Sequence, residues 1–111
     1  MGKESLEILK GTLDLLILKT LSTEPNHGYG ISRWLRATSG EAFQVEEGAL
    51  YPALRRLEKR GLLSTRWGTT ETGREAKFYT LTPPGRAELD EALKGWSRYV
   101  AAMGHVLESA G

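Results

Sequence analysis

The last third of the chain carries the most regular apolar pattern in the sequence. Its apolar side chains are spaced alternately by four and three residues: Leu89, Leu93, Trp96, Val100, Met103 and Leu107. A repeat of about 3.5 residues is typical of a helix that packs along its length against a second helix. That second helix comes either from the same chain or from a symmetry-related copy. The pattern therefore predicts a long C-terminal helix with an apolar seam.

The chain has 111 residues and no cysteine. This length accommodates one domain with one hydrophobic core. The lack of cysteine excludes disulfides, thiolate catalysis and cysteine-ligated metal sites. The N terminus has no signal-peptide pattern, and no apolar run approaches the roughly 20 residues of a membrane span. We therefore expect a soluble, cytoplasmic protein.

Three further helices are predicted in the first half of the chain. Apolar residues recur at helical spacing over residues 6–21, 28–38 and 46–60. Pro25 ends the first of these segments, and Asn26 is placed to cap the second.

The third helix presents two chemically different faces. Leu50, Leu54 and Leu57 form an apolar stripe that must be buried. The residues of the opposite face are small or basic: Gly48, Pro52, Arg55 and Lys59. Because Pro52 removes a backbone hydrogen bond inside the helix, we expect a bend or a late start there.

Two segments of alternating polarity, residues 62–67 and 77–82, predict a β-hairpin. The polar residues 68–76 between them predict a long, exposed, positively charged tip. Thr82 then caps the C-terminal helix, with Pro83 at its first position.

The net charge of +1 hides an uneven distribution. Residues 26–82 carry nine basic and six acidic side chains, whereas the segments on either side each carry a net charge of −1. Between Arg55 and Lys77 there are seven basic and three acidic side chains. A compact basic patch is typical of a protein that contacts a phosphate backbone, although a solvated helix face has the same composition.

Three helices, a hairpin and a long helix, in this order, form the winged helix-turn-helix arrangement. We therefore predict a mainly α fold with a small β-hairpin. We expect residues 1–82 to form the winged helix-turn-helix domain and residues 83–111 to form a C-terminal dimerisation helix within the same compact unit. The dimer interface is predicted at the seam residues of this helix: Leu89, Leu93, Trp96, Val100, Met103 and Leu107. A recognition helix, here residues 46–60, enters the major groove, and a wing, here residues 63–82, reaches adjacent phosphates. The basic side chains that these elements offer to DNA are Arg55, Arg56, Lys59, Arg66, Arg74 and Lys77.

Three stretches resemble the PadR family of bacterial transcriptional regulators. They are VEEGALYPALRRLEKRGLL at 45–63, HGYGI at 27–31 and KFYTLT at 77–82. Because one helix follows the wing, the chain is similar to the short branch of that family. The resemblance implies a homodimer, formed through the last helix together with the first, that represses transcription from a pseudo-palindromic operator. It also implies release of the DNA when a small molecule binds or conditions change.

The resemblance further implies which residues contact DNA. They lie in the second helix, the third helix and the wing: Tyr29, Gly48, Ala49, Tyr51, Pro52, Arg55, Arg74 and Lys77. The sequence departs from the family at Glu46 and Glu47, where Ser or Thr often caps the recognition helix. Three arrangements of these carboxylates are open: they point away from the DNA, they accept a hydrogen bond from cytosine N4, or they cap the helix. Glu75 stands in a wing that is often basic in the family.

Trp96 has two interpretations. In some multidrug-sensing relatives a tryptophan at the matching place, followed by Ser and Arg as here, lines a flat pore at the dimer interface. Two symmetry-related indoles would then hold a planar aromatic or cationic effector by stacking and cation–π attraction. Alternatively, Trp96 only packs in the helical seam and binds no ligand.

We predict that the chain is not an enzyme and needs no cofactor or metal. Its histidines, His27 and His105, lie on different elements, and no nucleophile motif, metal-ligand spacing or Gly-rich phosphate loop is present. His27 is interpreted as a residue that caps a helix or packs near the turn.

The alternative to a DNA-binding regulator is a winged-helix module that docks to another protein without specific DNA binding. Steep salt dependence of duplex binding distinguishes the two.

Overall fold

The computed structural model describes residues 6–9 and 11–110. Its elements follow in the order α1 (Leu13–Leu21), β1 (Asn26–His27), α2 (Gly28–Thr38), α3 (Glu47–Lys59), β2 (Leu63–Thr69), β3 (Glu75–Leu81) and α4 (Pro83–Leu107). The predicted fold, mainly α with a small hairpin, is confirmed. Seven positions lie outside the described residues: 1–5, 10 and 111. They include the first residues of the predicted domain 1–82, the last residue of the predicted helix 83–111 and one position of the first predicted helix.

The core lies where the first three helices meet the sheet. Its largest fully buried side chains come from α1, α2 and α3: Ile17, Leu18, Ile31, Leu50, Leu54 and Leu57. Burial of each such side chain contributes about 1.5–3 kcal/mol. The leucine stripe predicted on the third helix is therefore buried, and it fixes α3 on the scaffold with its opposite face exposed.

A third, very short strand joins the predicted hairpin. The strand order is β1-β3-β2, and β3 is antiparallel to both neighbours. The hairpin pairs from Leu63 with Leu81 to Thr69 with Glu75, so the turn at its tip is shorter than the predicted segment 68–76. The two residues of β1 are too few to show the alternation that reveals a strand in a sequence.

The first helix begins at Leu13, later than the predicted start at residue 6. Gly11 has a φ of 88°, in the left-handed region that a right-handed helix cannot contain. Thr12 closes a turn on Leu9, because its N–H and its hydroxyl donate to the Leu9 carbonyl at 3.0 and 2.6 Å. The apolar residues keep their helical spacing before Leu13, but at Gly11 the backbone is not helical.

The last helix starts as predicted. The Thr82 hydroxyl accepts from the Gly85 N–H at 3.1 Å, and Pro83 stands at the first helical position. Gly85 lies against the Leu62 carbonyl, where any Cβ would collide. The start of α4 is therefore held close to the connection between α3 and β2. Leu89 joins the core of its own chain, and nearly all later side chains of α4 are exposed.

Among residues 6–9 and 11–110, none of the helices combines the length and the apolar composition that a membrane span requires.

Candidate nucleic-acid interface

The outer face of α3 carries five of the residues predicted to contact DNA. These residues are all exposed: Gly48, Ala49, Pro52, Arg55 and Lys59. The helix begins at Glu47 and continues through Pro52 without a break. Pro52 has no N–H to donate to the Gly48 carbonyl, but Gly48 is exposed and water can reach that oxygen.

The start of α2 is fixed by side chains that bond to its backbone. The His27 Nδ1 atom accepts from the Gly30 N–H at 3.2 Å, so His27 is the N-cap. This confirms the capping role of His27 and corrects the prediction for Asn26, whose side-chain oxygen accepts from the His27 N–H at 2.8 Å instead. The next residue, Tyr29, is thereby held at the surface, where 66% of it is exposed.

A groove of about 640 Å³ runs between the start of α2, Tyr51 of α3 and the wing. Four of the residues predicted to contact DNA line it: Tyr29, Tyr51, Arg74 and Lys77. Glu71 and Glu75 also line the groove, so it combines basic groups and tyrosine rings with two carboxylates. Three elements that are distant in sequence therefore meet at one open, polar surface.

Arg33 is a groove residue that the sequence analysis did not single out. Its guanidinium carbon lies 5.6 Å from the centre of the Tyr29 ring, within the range of a cation–π contact. Arg33 lines the same groove. The signal was present in the sequence, because residues four apart on a helix face the same side and Arg33 follows Tyr29 at that spacing.

The recognition helix has a glutamate at its N-cap, but the side chain forms no capping bond. Glu46 has an extended backbone, and its carbonyl, not its carboxylate, accepts from Ala49 and Leu50 at 3.0 and 2.9 Å. The capping interpretation of Glu46 is therefore wrong. Glu46 and Glu47 are exposed beside Gly48 in a neighbouring cavity of about 490 Å³.

The predicted basic contacts differ in how much they are engaged within the chain. Arg55 and Lys59 are exposed on α3. Arg56 is also largely exposed, but it donates to the Asp14 carboxylate of α1 at 2.8 Å. Lys77 pairs with Glu58 of α3 at 3.4 Å. Two of the predicted contacts therefore already have an anionic partner before any DNA is present.

The wing tip is a compact turn that leaves Arg74 exposed. Gly73 has a φ of 85°, a conformation that favours glycine, and its N–H donates to the Thr70 carbonyl at 2.9 Å. The Arg74 N–H donates to the Thr70 hydroxyl at 3.2 Å. Arg66 pairs with Phe78 across the hairpin and lies over its ring, on the opposite face from Lys77.

The apolar seam of α4 is divided between the core and the surface. Leu89 is only 3% exposed because it packs in the core of its own chain, so its predicted place in the dimer interface is wrong. The rest of the seam is exposed by 38% or more. The exposed seam consists of Leu93, Trp96, Val100, Met103 and Leu107. Trp96 stacks on Tyr99 with ring centres 6.1 Å apart and an angle of 28° between the rings.

Comparison with known proteins identifies relatives over most of the chain. The model of the transcriptional regulator PadR-like family matches residues 17–91. A transcriptional regulator of Mycobacterium tuberculosis is 35% identical over 85 residues, which cover 77% of this chain and 76% of that protein.

Solved structures agree with this match. The crystal structure of a PadR-like transcriptional regulator from Bacillus cereus is similar with a TM-score of 0.78 and 30% identity, over 91% of this chain and 96% of that chain. The Bacillus subtilis PadR protein, solved in complex with operator DNA, is similar with a TM-score of 0.66 and 30% identity. That match covers 74% of this chain and 46% of the longer PadR chain. The chain therefore belongs to the PadR-like family of transcriptional regulators, which are DNA-binding proteins and not enzymes.

Proposed function

We propose that two copies of this chain form a cytoplasmic repressor that binds a pseudo-palindromic operator. In each copy α3 enters the major groove of one half-site, and the wing, residues 63–82, contacts the adjacent phosphates. The observation that supports this most is the groove that Tyr29, Tyr51, Arg74 and Lys77 share next to the exposed face of α3. The likeness to the operator-bound PadR fold supports it independently.

The proposed dimer is formed by the exposed seam of α4, together with α1. A row of large apolar side chains from Leu93 to Leu107 is unfavourable in water and is buried when a second helix covers it. A second copy offers the same row, and a two-fold axis brings identical surfaces together. The dimer would then present two recognition helices to the two half-sites of the operator.

We further propose that a planar aromatic or cationic ligand binds at Trp96 and releases the operator. Trp96 is 39% exposed, and its stack with Tyr99 forms an aromatic surface beside the proposed dimer axis. Such surfaces attract planar cations through the negative face of the ring. In the alternative role, Trp96 only fills space between the two helices.

The first experiment selects the DNA sequence that the protein binds from a random pool. The purified protein is mixed with a randomised duplex pool, bound duplexes are amplified over several rounds, and the enriched duplex is footprinted together with the DNA upstream of the protein's own gene. We expect protection of two inverted half-sites and an affinity that falls steeply with salt. Arg55→Ala should relax the base preference at one position, at a cost of about 1–3 kcal/mol, whereas Arg98→Ala in α4 serves as a charge-matched control.

Failure to enrich any duplex would favour the alternative, a winged-helix module that docks to another protein. A single protected half-site per bound dimer would instead contradict the palindromic arrangement while leaving DNA binding intact.

A further inference from the structure

Glu58 ties the recognition helix to both strands of the wing. One oxygen of its carboxylate, Oε2, accepts from the Thr65 hydroxyl of β2 at 3.3 Å. The other, Oε1, accepts from the Lys77 ammonium of β3 at 3.4 Å. Glu58 is thus the one residue of α3 for which hydrogen bonds to both strands of the hairpin are observed in the described part of the chain.

Lys77 also belongs to the groove in which we place the DNA backbone. Its side chain is 41% exposed and lines that groove, whereas Glu58 does not line it. The ammonium group sits at the end of a flexible four-carbon chain, so it can turn from Glu58 towards the groove without movement of the backbone. Within residues 6–9 and 11–110, the other two groove cations, Arg33 and Arg74, form no ion pair.

Release of Lys77 would not leave Glu58 without a partner. The Thr65 hydroxyl still donates to its carboxylate, and the side chain of Glu58 is 34% exposed, so water can reach it. The penalty for an unpartnered buried charge is therefore avoided. The exchange costs only a partly exposed ion pair, which typically changes a binding constant by up to about fivefold.

We propose that Glu58 competes with DNA phosphate for Lys77, so that Lys77 contacts a phosphate in the operator complex and stays paired with Glu58 on a non-specific duplex. This rests on the proposed function. When the duplex is held loosely on a non-specific sequence, its phosphates lie farther from Lys77 than Glu58 does, and the ion pair persists. When α3 is fully seated in the operator, a phosphate enters the groove within hydrogen-bonding distance and takes Lys77. One phosphate contact is then made in the specific complex and not in the non-specific one.

The test compares salt dependence on two duplexes. One is the duplex that the wild-type protein enriches from the random pool, and the other has the same base composition in shuffled order. Glu58→Gln removes the charge but keeps a side-chain oxygen for Thr65. We expect this variant to steepen the slope of log K against log salt by about 0.9 on the shuffled duplex, the value of one phosphate, and to leave the enriched-duplex slope unchanged. Its affinity for the enriched duplex should rise up to about fivefold, because the wild-type protein has to break the ion pair there, and its affinity for the shuffled duplex should rise by less.

Glu75→Gln is the matched control. Glu75 lines the same groove, so this substitution removes an equal charge, but Glu75 forms no ion pair among the described residues. We expect its affinity to rise alike on both duplexes, with no change in the difference between their slopes. A Glu58→Gln variant that behaves like Glu75→Gln, or like the wild type, would overturn the proposal.

Lys77→Met provides a second test that does not depend on the folding of a Glu58 variant. Methionine keeps an apolar chain of similar length beside Tyr79, whose ring lies 5.8 Å from the Lys77 ammonium. We expect the slope to decrease by about 0.9 on the enriched duplex only. An equal decrease on both duplexes would mean that Lys77 contacts phosphate in every complex, and no decrease would mean that it contacts none. Either result refutes the exchange, whereas failure of the wild-type protein to enrich any duplex would refute the proposed function itself.

Discussion

The phenol ring of Tyr51 in α3 lies directly over Gly28, the first residue of α2. A Cβ atom on Gly28 would stand 2.5 Å from the Tyr51 hydroxyl and 2.7 Å from two of its ring carbons. Glycine is therefore required for this approach of the two helices, and the approach holds Tyr51 beside the groove.

We expect Gly28→Ala to displace Tyr51 and to lower the free energy of unfolding by about 1–3 kcal/mol, the usual cost of overpacking. Urea unfolding measures the change. Gly48→Ala is the matched control, because Gly48 stands in the first turn of α3 and a Cβ there meets open space. Alanine is the better helix former, so this control should raise stability by up to about 1 kcal/mol. Equal effects of the two substitutions would show that Tyr51 does not need Gly28.

A second prediction separates two neighbouring arginines of α3. Arg55 is exposed and forms no ion pair with the described residues, whereas Arg56 pairs with the Asp14 carboxylate at 2.8 Å. Because Arg56 has to leave Asp14 before it can contact DNA, we expect Arg56→Ala to weaken binding to the enriched duplex by less than Arg55→Ala does. Asp14→Asn should make the Arg56→Ala effect larger by freeing the guanidinium. Equal losses of affinity for the two alanine variants would show that Asp14 does not restrain Arg56.

Much of the fold could be predicted because its patterns are local. The bounds of α2 and the start of α3 follow from apolar spacing and helix formers, and the start of α4 follows from the capping residue Thr82 directly before it. The late start of α1 could not be predicted in this way. The backbone conformation of Gly11 decides it, and the apolar spacing gives no sign of the interruption.

The electrostatics of the candidate site depend on contacts between distant parts of the chain. Arg56 and Asp14 are 42 residues apart, and Lys77 and Glu58 are 19 apart. A charge count along the sequence treats all of these groups as free, whereas the fold pairs them. The basic patch is therefore less available to DNA than the sequence suggests. Between Arg55 and Lys77, the cations that form no ion pair with a described residue are Arg55, Lys59, Arg66 and Arg74.

A third prediction concerns the proposed dimer. Val100 is 47% exposed in the middle of the seam, so in a dimer it would face the second copy. Val100→Asp would place a charge in an apolar interface, and we expect it to convert the protein to a monomer and to weaken operator binding. Light scattering measures the mass. Ala101→Asp adds the same charge at an exposed neighbouring position outside the seam and should leave the dimer intact. An unchanged mass for Val100→Asp would refute the interface.

A fourth prediction concerns stability at alkaline pH. Burial raises the pKa of the Tyr79 phenol above its ordinary value of 10.0, Glu58 and Tyr51 raise it further, and Arg55 opposes them. The folded state therefore keeps this proton at pH values where the unfolded chain has lost it. We expect the free energy of unfolding to be unaffected by Tyr79 below pH 10 and to fall as the pH rises through the raised pKa. The free energy of unfolding of Tyr79→Phe should fall less with pH than that of the wild type. Urea unfolding between pH 9 and pH 11, a range that brackets the ordinary pKa of 10.0, measures this difference. Identical pH profiles for the two proteins would contradict the assignment.

The last prediction tests the proposed effector site. Ethidium is a planar aromatic cation, and we expect it to quench tryptophan fluorescence in the wild-type protein by stacking on Trp96. The chain has three tryptophans, so the variants must assign the signal. Trp96→Ala should abolish binding, while Trp34→Phe and Trp67→Phe should retain it, because Trp34 is half-buried against the core and Trp67 lies on the wing. If the wild-type protein binds no such dye, Trp96 only packs in the seam, and release of the operator must have another cause.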